Sequence, residues 1–204
     1  MYRMPLDDDL SVLLTRDGSI KLADFGFARI INQNELYTDY VSTRWYRAPG
    51  EFARTGGLQP VVVSELLVGD QYGWPVDVFA TGCVLAEMTT GQPLFPGGSD
   101  LDQLFLIRKT LGELPARQLA AFRNNQFFYG LSIPDYDKQE PLVDKLSMLT
   151  PSCLDFCQRC LDLNPERRFS CVELLRHPYV TQPLSSEPTT PTRSSFATAP
   201  KQVD

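Results

Sequence analysis

Several features that mark specialised classes of protein are scarce or missing in this sequence of 204 residues. It has one histidine and five cysteines, and an odd number of cysteines in a chain of this length does not indicate a disulfide framework. No apolar run reaches the roughly 18 residues that a membrane span needs, and the acidic start MYRMPLDDDLS is unlike a signal or transit peptide. We therefore expect a soluble intracellular protein of the cytoplasm, the nucleus or both.

Positive charge is also in short supply. The sequence has 19 basic residues against 25 acidic ones, which gives a net charge of −6 and a pI near 4.9. Proteins that bind nucleic acid or anionic membranes neutralise phosphate groups with clusters of Lys and Arg. We therefore expect neither nucleic acid nor a membrane as a partner.

The overall composition is that of a globular protein. Hydrophobic residues make up 43% of the chain and charged residues 22%, so the chain can bury a core. From residue 181 to residue 204, Pro, Ser and Thr dominate and apolar residues are few. We expect one domain at residues 1–180 and a disordered tail at residues 181–204.

Three of the cysteines are spaced as one face of a helix. Cys153, Cys157 and Cys160 lie at i, i+4 and i+7, and the only histidine is His177. This pattern favours packing in the core over a zinc or redox site.

The first secondary structure signal is a β-hairpin. In VLLTRDGSIKLADF, two short apolar runs flank Asp17-Gly18, a turn-forming pair, and the second run leads to Asp24. Residues 26–64 show no sustained periodicity, which is typical of functional or disordered segments.

The rest of the chain predicts helices. The first opens with Pro75, closes before Gly91 and is apolar almost all round, which predicts a helix at the centre of a helical lobe. The second begins with the capping-box-like Ser99-x-x-Asp102 and is amphipathic. By the same signals the predicted helices are 75–91, 99–112, 150–163 and 170–177.

An Asp-Phe-Gly sequence at residues 24–26 is weak evidence alone, but three longer segments follow it in order. They are YTDYVSTRWYRAP at 37–49, ELLVGDQYGWPVDVFATGCVLAEM at 65–88 and DLNPERRFSCVELLRHPYV at 162–180. Together they resemble the C-terminal lobe of a eukaryotic protein kinase of the cyclin-dependent-kinase-like serine/threonine family. The fold class expected from this resemblance is mainly α, with one short β-hairpin.

The resemblance implies a role for Asp24. In these kinases the aspartate at this position binds the Mg²⁺ that bridges the phosphates of ATP, so ATP and Mg²⁺ are the implied cofactors. The implied reaction phosphorylates Ser or Thr in protein substrates. Without the later motifs, Asp24 would be interpreted as an ordinary turn carboxylate.

The resemblance also implies an activation segment. Thr38 and Tyr40 are implied to be phosphorylated, and Arg44 and Arg47 are implied to bind the phosphotyrosine. The segment from Thr43 to Pro49 is implied to select proline after the acceptor residue. The alternative is that the arginines are solvated and Tyr40 is an ordinary loop residue.

Two further positions are implied to be structural. Glu65 is expected to form a buried ion pair with Arg168, and breaking such a pair costs about 3–5 kcal/mol. Asp77 stands where the central helix of the family braces the catalytic loop, and Phe79 stands where the family usually has tryptophan.

Residues 50–64 interrupt the family pattern, which runs from Ala-Pro directly into Glu-Leu-Leu. The insert either loops out and leaves the ion pair intact, or it displaces Glu65. Because Pro-Gly-Glu-Phe can be encoded with the splice-donor-like GTGAGT, one hypothesis is that the insert comes from translation past an exon end.

Other family motifs are not found. The sequence has no Gly-rich loop, no strand lysine and no His-Arg-Asp catalytic loop, and Asp7 to Asp9 are interpreted as a solvated acidic run. We therefore expect a truncated kinase that lacks an N-lobe and a catalytic base and is inactive by itself. The alternatives are a lobe that docks protein partners through 99–112 and 126–136, and an unstable splice product.

Overall fold

The computed structural model describes residues 2–3, 12–26, 28, 30, 44–49, 73–125 and 128–182. The described part opens with a small antiparallel sheet of β1 (Tyr2–Arg3), β2 (Val12–Leu14) and β3 (Ile20–Leu22), in the order β1-β2-β3. Strands β2 and β3 are the predicted hairpin. The sheet has one strand more than predicted, because two residues are too few to show an alternating pattern.

The hairpin turn is fixed by local hydrogen bonds. Gly18 has φ +84°, a left-handed conformation that glycine adopts without strain. The Thr15 hydroxyl donates to the Ser19 carbonyl at 2.9 Å and also contacts the Asp17 carboxylate. The hydrogen bonds that the Asp17 carboxylate accepts from Thr15 and from Ser19 lower the pKa of Asp17. The turn sets the register in which Val12 lies opposite Leu22.

Helices are the main regular secondary structure of the described residues, so the mainly α prediction is confirmed. They are α1 (Trp74–Thr90), α2 (Asp100–Leu111), α3 (Ala116–Asn124), α4 (Leu142–Lys145), α5 (Pro151–Cys160), α6 (Cys171–Leu175) and α7 (Pro178–Thr181). A short 3-10 helix spans Arg44–Tyr46. Over the described residues, no helix has both the length and the apolar character needed to cross a membrane.

The predicted helices correspond to α1, α2, α5 and α6. The first ends at Gly91, whose φ of +74° stops the helix, and the second is capped by the Ser99 hydroxyl. Helices α3, α4 and α7 were not predicted. Helix α7 ends at Thr181, one residue inside the predicted tail, and residues 183–204 lie outside the described residues.

The core forms where α1 packs on α5. Phe79 is fully buried, and Gly82 lies so close to α5 that a Cβ atom on it would be 2.7 Å from Cys160 Cβ. The other face of α1 is open: Met88 is 55% exposed. The helix is therefore central on one side only, whereas its nearly continuous apolar sequence predicted burial all round.

The cysteines of α5 are part of this core. Cys153, Cys157 and Cys160 are all buried. Burial raises the pKa of Cys157 and of Cys160 to about 12, so both are protonated thiols at neutral pH. Their burial agrees with the prediction that they pack in the core.

Candidate functional site

Asp24 follows β3 in an uncommon backbone conformation. Its φ is +59°, the one positive value found for a non-glycine residue in the described part of the chain. Its side chain is exposed, and Oδ1 lies 3.4 Å from the Gly26 N–H that donates to it. Backbone strain of this kind tends to persist at functional sites, where it orients a side chain.

The surroundings of Asp24 fit one ligand position of a magnesium ion. Mg²⁺ keeps several of its waters and is commonly bound by one or two carboxylates together with the phosphates of a substrate. An exposed carboxylate beside a small glycine meets that requirement for one carboxylate. Within the described ranges, no group of three or more His, Cys, Asp or Glu side chains could hold a metal ion, so Asp24 fits as a partial site and not as a complete cage.

The described loop at residues 44–49, here called the 44–49 loop, is anchored to α2 by an ion pair. Arg44 Nε lies 2.8 Å from Asp100 Oδ1, and the Asp100 side chain is only 8% exposed. Arg44 itself is partly exposed, whereas Arg47 is buried. The two arginines implied to bind a phosphate therefore differ: solvent reaches Arg44 much more than Arg47.

The same loop is held by hydrogen bonds with α2 and the segment before it. The Trp45 indole N–H donates to the Gly97 carbonyl at 3.2 Å, the Gly97 N–H donates to Gln103 Oε1 at 3.0 Å, and Gln103 Nε2 donates to the Trp45 carbonyl at 3.2 Å. The Tyr46 hydroxyl donates to Glu87 on α1 at 2.7 Å. Side chains from two helices thus hold the loop in place.

Arg168 is buried between α1 and the segment before α6. Its Nη1 donates to the Pro75 carbonyl at 2.5 Å, and its Nε and Nη2 donate to the Asp162 carbonyl at 3.0 and 2.8 Å. The guanidinium carbon lies 5.1 Å from the centre of the Phe79 ring, a cation–π distance. Two carbonyls and an aromatic ring therefore stabilise this cation. Its implied partner Glu65 lies outside the described residues.

Asp77 is in the first turn of α1 and is exposed. Nearby protein atoms nevertheless remove part of the water from its carboxylate, and this desolvation raises the pKa of Asp77. A carboxylate that is destabilised in this way is a common feature of functional sites. The structure places Asp77 on the same helix as Phe79, whose ring contacts Arg168.

Several sequence predictions fall where the structure describes nothing. The predicted phosphorylation sites, the start of the predicted proline-selecting segment, the ion-pair glutamate, the acidic run and the insert lie outside the described residues: Thr38, Tyr40, Thr43, Glu65, Asp7 to Asp9 and residues 50–64.

Sequence reasoning missed the residues that hold the 44–49 loop. Asp100 and Gln103 were seen only as parts of an amphipathic helix, yet Gln103 has no exposed surface and Asp100 very little. One signal was available: Gln103 lies four residues before buried Ile107, so a polar amide occupies the apolar face of α2. A polar residue on a buried face needs hydrogen-bond partners.

A cavity of about 590 Å³ lies between the C-terminal end of α2, helix α5 and the segment that follows α5. Its lining includes Thr110, Glu113, Leu161, Asp162, Asn164 and Arg167. None of the predicted site residues lines it.

Comparison with known proteins gives the class of this chain. Residues 10–180 match the family described as protein kinase domain. The chain therefore belongs to the protein kinase family. The helical lobe and small sheet agree with that assignment.

The relatives narrow the class further. The chain is 55% identical to cyclin-dependent kinase-like 1 of Caenorhabditis elegans over 168 residues, which are 82% of this chain and 43% of that protein. It is 51% identical to cyclin-dependent kinase-like 4 of Mus musculus over 170 residues, 83% of this chain and 45% of that protein. For cyclin-dependent kinase-like 2 of Homo sapiens the identity is 43% over 171 residues, 83% of this chain and 32% of that protein. The predicted resemblance to cyclin-dependent-kinase-like serine/threonine kinases is confirmed, and the chain spans less than half the length of these relatives.

Proposed function

We propose that this chain supplies the magnesium ligand and the substrate-selecting loop of a cyclin-dependent-kinase-like serine/threonine kinase. The family reaction transfers the γ-phosphate of ATP to Ser or Thr in protein substrates. The observation that carries the proposal is the left-handed Asp24 in an exposed Asp-Phe-Gly turn at the end of β3. Aspartate also adopts this conformation in ordinary turns, so the proposal depends on finding it together with the Asp-Phe-Gly sequence.

Each described site residue then has a role. Asp24 would hold Mg²⁺, which supplies neutralisation of phosphate charge when it is bound. The 44–49 loop would select proline after the acceptor residue of the substrate. Arg44 and Arg47 would bind phosphate on Tyr40, with Arg44 the more accessible of the two.

The chain of 204 residues is proposed to transfer no phosphate when it is tested by itself. Phosphoryl transfer depends on positioning and on electrostatic stabilisation by several groups at once. The sequence contains no Gly-rich loop, no strand lysine paired with a helix glutamate and no His-Arg-Asp loop. Asp24 therefore has few of the groups that would hold ATP beside it.

A second candidate function is docking of a protein partner through residues 126–136. Tyr129 is 87% exposed and Leu131 is 52% exposed, so this region presents apolar surface. Helix α2, the other proposed docking element, offers little: only Asp102 among its residues is classed as exposed. The docking hypothesis therefore depends on the segment around Tyr129.

Manganese binding tests the role of Asp24 directly. Mn²⁺ accepts the same oxygen ligands as Mg²⁺ and broadens NMR signals of nearby amides, so weak binding is visible. We expect broadening at residues 24–26 in the wild-type chain, loss of the broadening in Asp24→Asn, and no change in Asp137→Asn, which removes an exposed carboxylate elsewhere. Absence of broadening in the wild type would contradict the proposal.

A thermal melt with and without millimolar Mg-ATP tests the proposal that the chain by itself does not bind ATP for phosphate transfer. A ligand at about 100 times its Kd stabilises the native state by about 2.7 kcal/mol. We expect a cooperative melt that Mg-ATP does not shift and no phosphorylation of a Ser-Pro peptide. An upward shift, or any turnover that Asp24→Asn abolishes, would show that the chain holds ATP without the missing motifs.

A further inference from the structure

Gln103 joins the 44–49 loop to the start of α2 through both ends of its side-chain amide. Its Oε1 accepts from the Gly97 N–H at 3.0 Å, and its Nε2 donates to the Trp45 carbonyl at 3.2 Å. The Trp45 indole N–H closes the ring by donating to the Gly97 carbonyl at 3.2 Å. A closed ring of hydrogen bonds therefore spans two segments that are far apart in the sequence.

Burial makes this ring selective for glutamine. Gln103 has no exposed surface, and Gly97 is buried too. A buried backbone N–H and a buried carbonyl both need partners, and the glutamine amide offers an acceptor and a donor at once without a change of protonation. A methionine would fill the same space but leave the Trp45 carbonyl without this donor, and the Gly97 N–H would keep only the Phe95 carbonyl at 2.9 Å.

Gly97 is matched to Gln103 by its lack of a side chain. A Cβ atom on Gly97 would lie 2.7 Å from the backbone N and Cα of Gln103 and 2.5 Å from its Oε1. The segment before α2 can therefore approach the helix closely enough for the ring only with glycine here.

The geometry points to Gln103 as a positioning residue for substrate selection: it fixes the Trp45 backbone and so sets the shape of the 44–49 loop that contacts the residue after the acceptor. This inference rests on the proposed function, because a loop that selects no substrate needs no fixed shape. Gln103 touches no substrate itself and acts through Trp45. The ion pair of Arg44 with Asp100, one turn away on α2, reinforces the same attachment.

The test compares the same substitution at two buried glutamines. Gln103→Met removes two of the three hydrogen bonds of the ring. Gln118→Met is the control: Gln118 is also buried, and its Nε2 donates to the Leu163 carbonyl at 3.0 Å, a contact with no part in the 44–49 loop. Both variants lose buried hydrogen bonds, so both serve to measure ordinary destabilisation.

The first readout is peptide preference of the full 204-residue chain. NMR titration gives Kd for a Ser-Pro peptide and for the matching Ser-Ala peptide. The preference for Ser-Pro is the Kd of the Ser-Ala peptide divided by the Kd of the Ser-Pro peptide. We expect Gln103→Met to lower this ratio by about threefold or more, the range that one or two hydrogen bonds cover. We expect Gln118→Met to leave the ratio unchanged. Equal ratios in the three proteins, or equal losses in both variants, would overturn the inference.

The second readout is hydrogen exchange of the indole N–H groups. The chain has two tryptophans, so the Trp74 signal is an internal reference. We expect faster exchange at Trp45 in Gln103→Met only. If the wild-type chain shows no preference for Ser-Pro, the proposed function of this loop is wrong. Hydrogen exchange then tests by itself whether Gln103 holds the 44–49 loop. Unchanged exchange at Trp45 in Gln103→Met would overturn the inference.

A third variant separates positioning from simple packing. In Gln103→Glu the protonated carboxyl offers one donor and one acceptor, as the amide does, whereas the carboxylate offers acceptors only. Burial raises the pKa of such a carboxyl, which brings the change into an accessible pH range. We expect wild-type Trp45 exchange and peptide preference at low pH and their loss at higher pH. A pH-independent variant would contradict the inference.

Discussion

Arg44 and Asp100 form an ion pair that attaches the 44–49 loop to the first residue of α2. Arg44 Nε lies 2.8 Å from Asp100 Oδ1, and the carboxylate side chain is 8% exposed while the arginine side chain is 32% exposed. A nearly buried carboxylate needs its partner, whereas a partly exposed arginine can also contact other anions. The pair therefore matters both for stability and for the availability of Arg44.

A double-mutant cycle measures this pair. Asp100→Asn and Arg44→Gln should each lower the free energy of unfolding by about 1.5–3 kcal/mol, because each breaks a charged hydrogen bond. Their combined effect should fall short of the sum by about 1 kcal/mol or more. Urea unfolding measures all four proteins. The control cycle combines Arg44→Gln with Asp102→Asn, since Asp102 is exposed and accepts from the Gly98 N–H instead. Strict additivity of Arg44→Gln and Asp100→Asn would contradict the ion pair.

Availability of Arg44 gives a consequence for the proposed activation segment. Phosphate carries about two negative charges and binds well to a guanidinium group. A phosphate on Tyr40 would have to share Arg44 with Asp100 or displace it. Under the proposed function, phosphorylation of Tyr40 and the attachment of α2 to the 44–49 loop are therefore coupled through Arg44.

Three of the four predicted helices carry a start signal in a side-chain cap, and α1 was predicted from Pro75 in its first turn. The Ser99 hydroxyl accepts from the Asp102 N–H, and Ser170 with Glu173 forms a complete capping box. The missed helices α3 and α4 instead begin after Pro115 and Pro141, and neither has a side-chain cap. Where no cap is present, the boundary is set by tertiary packing, which local sequence patterns do not contain.

The glycine before α2 offers a second prediction. Gly97→Ala would place a Cβ atom 2.7 Å from the Gln103 backbone, so we expect a loss of about 1–3 kcal/mol in unfolding free energy. Gly98→Ala is the matched control, because its Cβ would meet Asp102 Oδ2 at an ordinary 3.7 Å. We expect Gly98→Ala to change the free energy of unfolding by no more than about 0.5 kcal/mol. Chemical denaturation compares the two, and equal effects would refute the close approach.

Only those residues of the candidate site that belong to a recognisable sequence motif could be predicted. Asp24 could be proposed as a magnesium ligand only because three longer segments that resemble the kinase family follow the Asp-Phe-Gly sequence in order. Gln103 could not be linked to Trp45, since 58 positions separate them and no periodic pattern connects a loop to a helix. Contacts between distant segments depend on the packing of the whole lobe, which periodicity does not describe.

Acid should destabilise the lobe in part through Asp155. Its carboxylate accepts from His177 Nε2 at 2.9 Å, and this hydrogen bond, with a smaller contribution from Arg159, lowers the pKa of Asp155 below 3.8. The His177 proton is on Nε2 because Nδ1 accepts from the Tyr179 N–H. The folded state therefore holds the Asp155 proton less tightly than the unfolded state does.

The sign of the pH effect follows from that lowered pKa. The stabilisation is fully present above about pH 4 and is lost as pH falls through the lowered pKa of the folded state. We expect Asp155→Asn to be less stable than wild type at about pH 6 and to lose less stability between about pH 6 and pH 3. Urea unfolding at both pH values measures the difference. Asp137→Asn should follow the wild-type pH dependence, and parallel curves for Asp155→Asn would exclude the stabilising hydrogen bond with His177.

Thiol accessibility provides the last prediction. Four cysteines are buried and Cys171 is exposed, and burial raises the pKa of Cys157 and Cys160 to about 12. Because only a thiolate attacks an aromatic disulfide reagent, we expect the native chain to react rapidly at one thiol and the denatured chain at all five. Cys171→Ser should leave no rapid reaction in the native chain. More than one rapid thiol would mean that the core between α1 and α5 is open, because the other four cysteines are buried on these two helices.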